Sequence, residues 1–260
     1  MRVALCIFGQ PRWLDNSHTY LSHKYHIIDK YNADVFSHTW VSGSEIEFKY
    51  ADQVKDEFKD IEDKDSIKKI MKLYNPKKFY FDPPINFLLD ESLRKILIER
   101  KRLYNEKIIG SFNYSLNNEN NHMSQLYSMS KAISLLEGED KYDWVILSRF
   151  DNYIFNFPDL FSLDKNNLFI NNKYDYNFPD VIIFGGQPQI ETLNCFDIIP
   201  ELCEKILYFS PEEFKRAAYQ RVYGFKPPKI GKYCYEIGQE KRISIGVGVV
   251  RSNTLENLQI

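Results

Sequence analysis

Arg149 and Asp151 flank Phe150 where the apolar run of "YDWVILSRFDNYIF" gives out. A guanidinium presents a planar fork of N–H donors that matches a phosphate or a carboxylate. A carboxylate emerging from a buried strand is a hard oxygen ligand, suited to Mg²⁺ or Mn²⁺ on a diphosphate or to a ribose hydroxyl. One carboxylate is a weak metal site by itself, and the guanidinium can take over part of its electrostatic role. A surface ion pair between the two is the competing reading, and such a pair contributes little.

The first apolar run, "RVALCIFGQPR", ends in a similar way. Gly9 and Gln10 would let backbone approach a flat or phosphate-bearing ligand, and Arg12 supplies another guanidinium; a turn with a solvated Arg is the alternative. A third strand-like stretch, "ADVFSHTW", has Asp34 at its start and His38 and Trp40 after it. A His beside an aromatic residue reads first as a hydrogen-bonded core residue. The sequence pairs no Ser or Cys with it, so no triad is expected, and no HExxH zinc spacing occurs. Neither GxGxxG nor GxxxxGK[ST] is present, which disfavours dinucleotide redox and NTPase readings. A methyltransferase loses ground for lack of a glycine-rich cofactor loop.

These residues need elements to hold them. A continuous apolar run such as "RVALCIFG" is the pattern of a strand buried on both faces of a parallel sheet. Residues 15–31, with Leu21, Ile27 and Ile28, read as the crossover helix to the strand in "NADVFSHTW". One or two surface helices are expected over 43–73, a strand at "KKFYFD", and a helix capped by Asp90. The clearest helix is "HMSQLYSMSKAISLLEGED", with Met123, Leu126, Ile133 and Leu136 on one stripe, Asn121 as cap and Gly138 as terminator. It presents Ser128 and Lys131 on another face. Further strands are read at "NNLFI", "DVIIFGG" and "ISIGVGVVR". Ser210, Pro211 and Glu213 open the last helix.

A chain of 260 residues with 43% hydrophobic content can bury a substantial core. The alternation of strands and helices gives one α/β domain over 1–260, whose second half, from about residue 152, contributes more irregular elements. A net charge of −2 gives no support to bulk binding of nucleic acid. The 18 Tyr and 19 Phe are put down to compositional bias before any aromatic groove. Cys6, Cys195, Cys203 and Cys234 show no metal spacing and favour a reduced, cytoplasmic setting. "VALCIF" is too short to span a bilayer and is followed by no cleavage site, so neither a signal peptide nor a membrane helix is expected. Peripheral work at the inner membrane face stays compatible.

Taken in order, "ALCIFGQPR", "YNADVFSHTW", "YNPKKFYF", "SQLYSMSKAISLL", "YDWVILSRFD" and "DVIIFGG" resemble the nucleotide-sugar-dependent GT-A glycosyltransferases of bacterial polysaccharide synthesis, with WavE-type lipopolysaccharide and capsule proteins nearest in pattern. The similarity covers roughly residues 1–190. It implies a GT-A-like, mostly parallel central sheet flanked by helices, and transfer of a hexosyl-type group from a nucleotide-diphosphate donor to a glycan or lipid-linked acceptor. In that family an Asp-x-Asp motif binds a metal-diphosphate; Arg149-Phe150-Asp151 stands in its place, which makes Asp151 the metal or ribose contact. The resemblance places Gly9, Gln10, Arg12, Asp34, Gln125, Ser128, Lys131 and Gly185 around the donor. It makes Asp180 the leading base for the acceptor hydroxyl, with Glu236 and Glu240 as alternatives. A non-catalytic sugar- or nucleotide-binding protein of the same fold is the rival class.

Overall fold

The computed structural model describes residues 1–12, 14, 17–41, 63–87, 89–107, 119–171, 182–206, 209–223, 241–243 and 245–249. β1 (Val3–Gly9) is apolar throughout, and it lies between β2 (Asp34–Trp40) and β4 (Trp144–Arg149), parallel to both. β3 (Lys78–Asp82) pairs in parallel with β2. Alternate residues of β1 pack on opposite faces, as the period-two geometry of a strand requires. Ala4, Cys6 and Phe8 join one core, while Val3, Leu5 and Ile7 join the other.

The crossover from β1 to β2 runs through α1 (Ser17–His23), a π-helical turn (Lys24–Ile28) and α2 (Asp29–Tyr31). α3 (Asp63–Tyr74) feeds β3. Ile27, Tyr31, Ile70 and Tyr74 put these helices on the Leu5 face of the sheet. α4 (Glu91–Lys107) and α5 (Glu119–Ser134) feed β4 and occupy the opposite face, through Leu97, Met123, Leu126 and Ile133. Asn121, expected to cap α5, lies instead within its first turn, since the helix opens at Glu119; two other expected ends form. Asp90 Oδ1 accepts from Ser92 N at 2.7 Å, and Gly138 ends the turns after α5 with φ +77°.

Beyond β4 the chain turns through Phe150 and Asp151 into β5 (Asn152–Asn156), which leaves the main sheet and pairs antiparallel with β9 (Gly246–Val249). β6 (Leu168–Asn171) and β7 (Ile182–Gly185) return to the main sheet, and β8 (Lys241–Ile243) closes its edge. The segment read as one strand, "ISIGVGVVR", is therefore divided between two sheets. Ile245 sits between them and its carbonyl accepts from Asn171 Nδ2 at 3.2 Å. α6 (Gln187–Glu191), α7 (Ile199–Leu202) and α8 (Pro211–Tyr223) follow β7; in α8 the Ser210 hydroxyl caps Glu213 N at 3.2 Å.

The seven strands run in the order β3-β2-β1-β4-β7-β6-β8. β7 alone is antiparallel to both of its neighbours, so the central sheet is mostly parallel and flanked by helices, as the sequence leads one to expect. The chain builds outward from β1 to β3, then crosses to the far side of β1 to lay down β4. Connections thus diverge between β1 and β4, and a ligand crevice is expected outside their carboxyl ends. Phe8 and Arg149 are paired there.

Candidate functional site

The rim at the carboxyl ends of β1 and β4 brings together Gly9, Gln10, Arg12, Arg149 and Asp151. Their arrangement begins with Phe150, which is fully buried on the α3 face, edge-on to Tyr74 at 5.9 Å. Alternation then directs Arg149 toward the opposite face, and the turn brings Asp151 back under it. Arg149 donates to both carboxylate oxygens of Asp151, Nε to Oδ1 at 2.8 Å and a terminal nitrogen to Oδ2 at 2.6 Å. A guanidinium nitrogen of Arg12 lies 3.9 Å from the same Oδ2, and Gln10 Oε1 accepts from Arg12 Nε at 2.7 Å. Asp151 is buried, its side chain 4% exposed, while the side chains of Arg149 and Arg12 are 19% and 20% exposed. The ion pair is thus a buried, bidentate brace at the carboxyl ends of β1 and β4 and differs from the weak surface pair considered above.

Gly9 has φ +102°, a conformation that favours glycine, and its peptide is held on both sides. Its N–H donates to Ser128 Oγ at 2.8 Å, and its carbonyl accepts from Thr39 Oγ1 at 3.0 Å. Ser128 is fully buried and also lies 2.8 Å from His38 Nδ1, while His38 Nε2 is 3.1 Å from Asp82 Oδ2. A carboxylate only accepts, so Nε2 carries the proton and Nδ1 accepts from the serine hydroxyl. One polarity therefore runs through the set: Gly9 N–H to Ser128, Ser128 O–H to His38, His38 N–H to Asp82. Tyr127 adds a donor to Asp82 at 2.9 Å. The order is that of a Ser–His–Asp triad, which the sequence gave no ground to expect. Ser128 is sealed from substrate and already accepts the Gly9 amide, so it anchors the loop and has no place as a nucleophile.

A second histidine works from the other face. His23 is buried between Tyr74 Oη and Ser148 Oγ, each 3.0 Å from a ring nitrogen, and Asn152 Nδ2 donates to the same Ser148 oxygen at 3.0 Å. Burial lowers the His23 pKa to about 3, with Asp151 acting in the opposite sense. Burial lowers that of His38 to about 4, countered in part by its bond to Asp82. Both rings are therefore neutral near pH 7, one under each loop that carries an arginine.

Other expected site residues are placed differently. Asp34 lies at the amino end of β2, opposite Ala4, while the β1 end pairs with Thr39. It accepts from Tyr142 Oη at 2.6 Å and pairs with Lys77 at 3.2 Å, which is a reason of structure on the rim away from the crevice. Gly185 is set on that far rim as well, opposite Val145 near the start of β4, because β7 runs antiparallel. Its hydrogen stands where a Cβ would meet the Asn167 carbonyl at 2.8 Å, so close packing accounts for it. Gln125 and Lys131 are half-buried on α5, and the Lys131 ammonium stands 5.1 Å from the Tyr127 ring centre. Asp180, Glu236 and Glu240 lie outside the described residues. Asp82, Tyr127, His23, Ser148 and Asn152 were not singled out in the sequence; the one signal for Asp82 was its place at the end of a strand, the position that drew notice to Asp151.

The donor set at this rim does not fit a resident divalent metal. Asp151 has both oxygens on a guanidinium, Asp82 at the end of β3 accepts from His38 and Tyr127, and among the described residues no group of three or more His, Cys, Asp or Glu residues could hold an ion.

No protein-family profile and no curated protein matches the chain. Among solved structures it is similar to core-mannan synthase A from Aspergillus fumigatus in its Mn/GDP form, at 8% identity and TM-score 0.45 over 84% of this chain and 69% of that one. It is similar also to the apo glycosyltransferase GlyE of Streptococcus pneumoniae, at 12% and 0.37, covering 86% of this chain and 43% of GlyE. A third is the galactosyltransferase LgtC with donor and acceptor sugar analogues, at 11% and 0.39, covering 96% and 86%. Every one of these scores lies below 0.5.

Proposed function

We propose that the protein is a glycosyltransferase that moves a sugar from a nucleotide-diphosphate donor to a hydroxyl of a glycan or lipid-linked acceptor, in synthesis of a bacterial surface polysaccharide such as lipopolysaccharide or capsule. The observation that carries this reading is the convergence of Arg12 and Arg149 on buried Asp151 at the point where the strand connections diverge. Glycosyl transfer builds positive charge on the sugar and negative charge on the departing diphosphate. Preorganised guanidinium donors beside the leaving group stabilise that charge without reorganising as it develops.

In this reading residues 1–151 supply the donor half, with Gly9 and Gln10 shaping the loop and Gln125 and Lys131 bordering it from α5. Residues 152–260 supply the acceptor side. Asp180, two residues before Ile182 in the sequence, is assigned the removal of the acceptor proton. A cytoplasmic or inner-face location accords with this role; among the described residues no helix is long and apolar enough to cross a membrane.

The test is incubation of the purified protein with UDP-, GDP-, CMP- and dTDP-sugars, with and without glycan extract. Release of the nucleotide from one donor is expected, and Asp180→Ala should retain donor binding while lowering transfer. Saturable sugar-nucleotide binding with no turnover under any condition would replace the transferase with the binding protein.

A further inference from the structure

We infer that a diphosphate at this crevice is met by guanidinium groups in place of a divalent cation, and that Asp151 is a positioning residue for Arg149. The nature of the ligand rests on the nucleotide-sugar reading; the cation independence rests on the geometry of Asp151.

A divalent ion needs a carboxylate lone pair at about 2.0–2.6 Å. At Asp151 both oxygens already accept from Arg149, at 2.8 and 2.6 Å, and Arg12 stands 3.9 Å from one of them. An incoming cation would have either to displace the bidentate fork or to reach the remaining lone pairs of a carboxylate 4% exposed, repelled in both cases by two guanidiniums. The brace is also built to stay in place. Phe150 anchors the turn in the core, Asn152 is tied to Ser148 and through it to His23, and Gln10 holds Arg12. A carboxylate fixed in this way sets the plane of the Arg149 guanidinium, and planar orientation is what bidentate phosphate recognition demands.

Calorimetric titration of the wild-type protein with UDP, GDP, CDP, dTDP and inorganic pyrophosphate, in EDTA and then in Mn²⁺ or Mg²⁺, tests this. At least one nucleoside diphosphate is expected to bind in EDTA, with Kd changed by less than about tenfold on adding the metal. Binding seen only with metal would overturn the inference and leave the transferase reading standing. Pyrophosphate binding in EDTA with no nucleotide bound would support the anion site and remove the nucleotide-sugar reading. Absence of binding by every probe in both conditions would overturn the inference, with the donor assay deciding the transferase separately. Asp151→Asn, with its urea midpoint measured alongside to separate loss of positioning from loss of the fold, distinguishes a positioning residue from a metal ligand. As a positioning residue its loss weakens binding equally in EDTA and in metal; loss confined to the metal condition would make Asp151 a metal ligand. Arg149→Lys, which keeps the charge and loses the fork, should weaken binding in EDTA by about tenfold or more.

Discussion

At the scale of single residues, two glycines that look alike in the sequence serve different ends. Gly9 holds φ +102°, and a Cβ there would meet nothing within 4 Å. Its requirement is one of backbone conformation, and an L side chain in such a region costs about 1–3 kcal/mol. Gly185 has the opposite character: its backbone is ordinary, but a Cβ would press on the Asn167 carbonyl at 2.8 Å. Overpacking against backbone costs about 1–3 kcal/mol. Both alanine variants should therefore lower the urea midpoint. Only Gly9→Ala should also weaken nucleoside-diphosphate binding, because Gly9 leads into Arg12 while Gly185 lies on the far rim. Equal loss of binding in the two variants would return Gly185 to the ligand site.

At the scale of elements, Ser128 connects α5 to the ends of β1 and β2. Ser128→Ala would leave the Gly9 N–H and the His38 Nδ1 without this partner in a buried setting, and each orphaned group costs about 1–3 kcal/mol. Unfolding in urea should show a loss of about 2–6 kcal/mol for the two groups together, with weaker ligand binding through the released Gly9 loop. A variant as stable as wild type would mean that the two groups find new partners. This connection also marks where reading the sequence stops. β1 and β4 were legible because a strand buried on both faces must be apolar at every position. α5 was legible from its stripe and its Gly138 stop, though it begins at Glu119, before the expected cap Asn121, and α8 from its Ser210 cap. The Ser128–His38–Asp82 chain was hidden because its members are 90 and 44 residues apart and each is an ordinary polar residue locally. The direction of β7 was hidden for a related reason: four apolar residues read the same in a parallel or antiparallel pairing, and that direction decides on which rim Gly185 falls. Arg149 and Asp151 were visible as types at a strand end, but their mutual bidentate bond depends on the turn that Phe150 anchors.

For the whole molecule, the neutral histidines on the two faces of the sheet couple folding to pH. An unfolded chain takes up a proton on each ring below its ordinary pKa of 6.5, while the folded chain does so only near about 3 at His23 and about 4 at His38. Between these limits the unfolded state binds more protons, so stability is complete above about pH 6.5 and falls as the pH drops. Two rings at about 1.4 kcal/mol per pH unit each give a slope approaching about 2.7 kcal/mol per unit between about pH 6 and 4.5. His26, lowered by partial burial and by Lys30, adds in the same direction. Glu139 and Asp143, held low by their lysine partners, lose their contribution only below ordinary values of 4.5 and 3.8, so the window above them belongs to the histidines. Urea unfolding at a series of pH values should show this slope, and His38→Gln should reduce it by about one ring's share while lowering stability at pH 7. A pH-independent wild-type midpoint between about pH 6 and 4.5 would mean that both rings accept protons in the folded state, and the paired anchors beneath the arginine loops would not be neutral imidazoles.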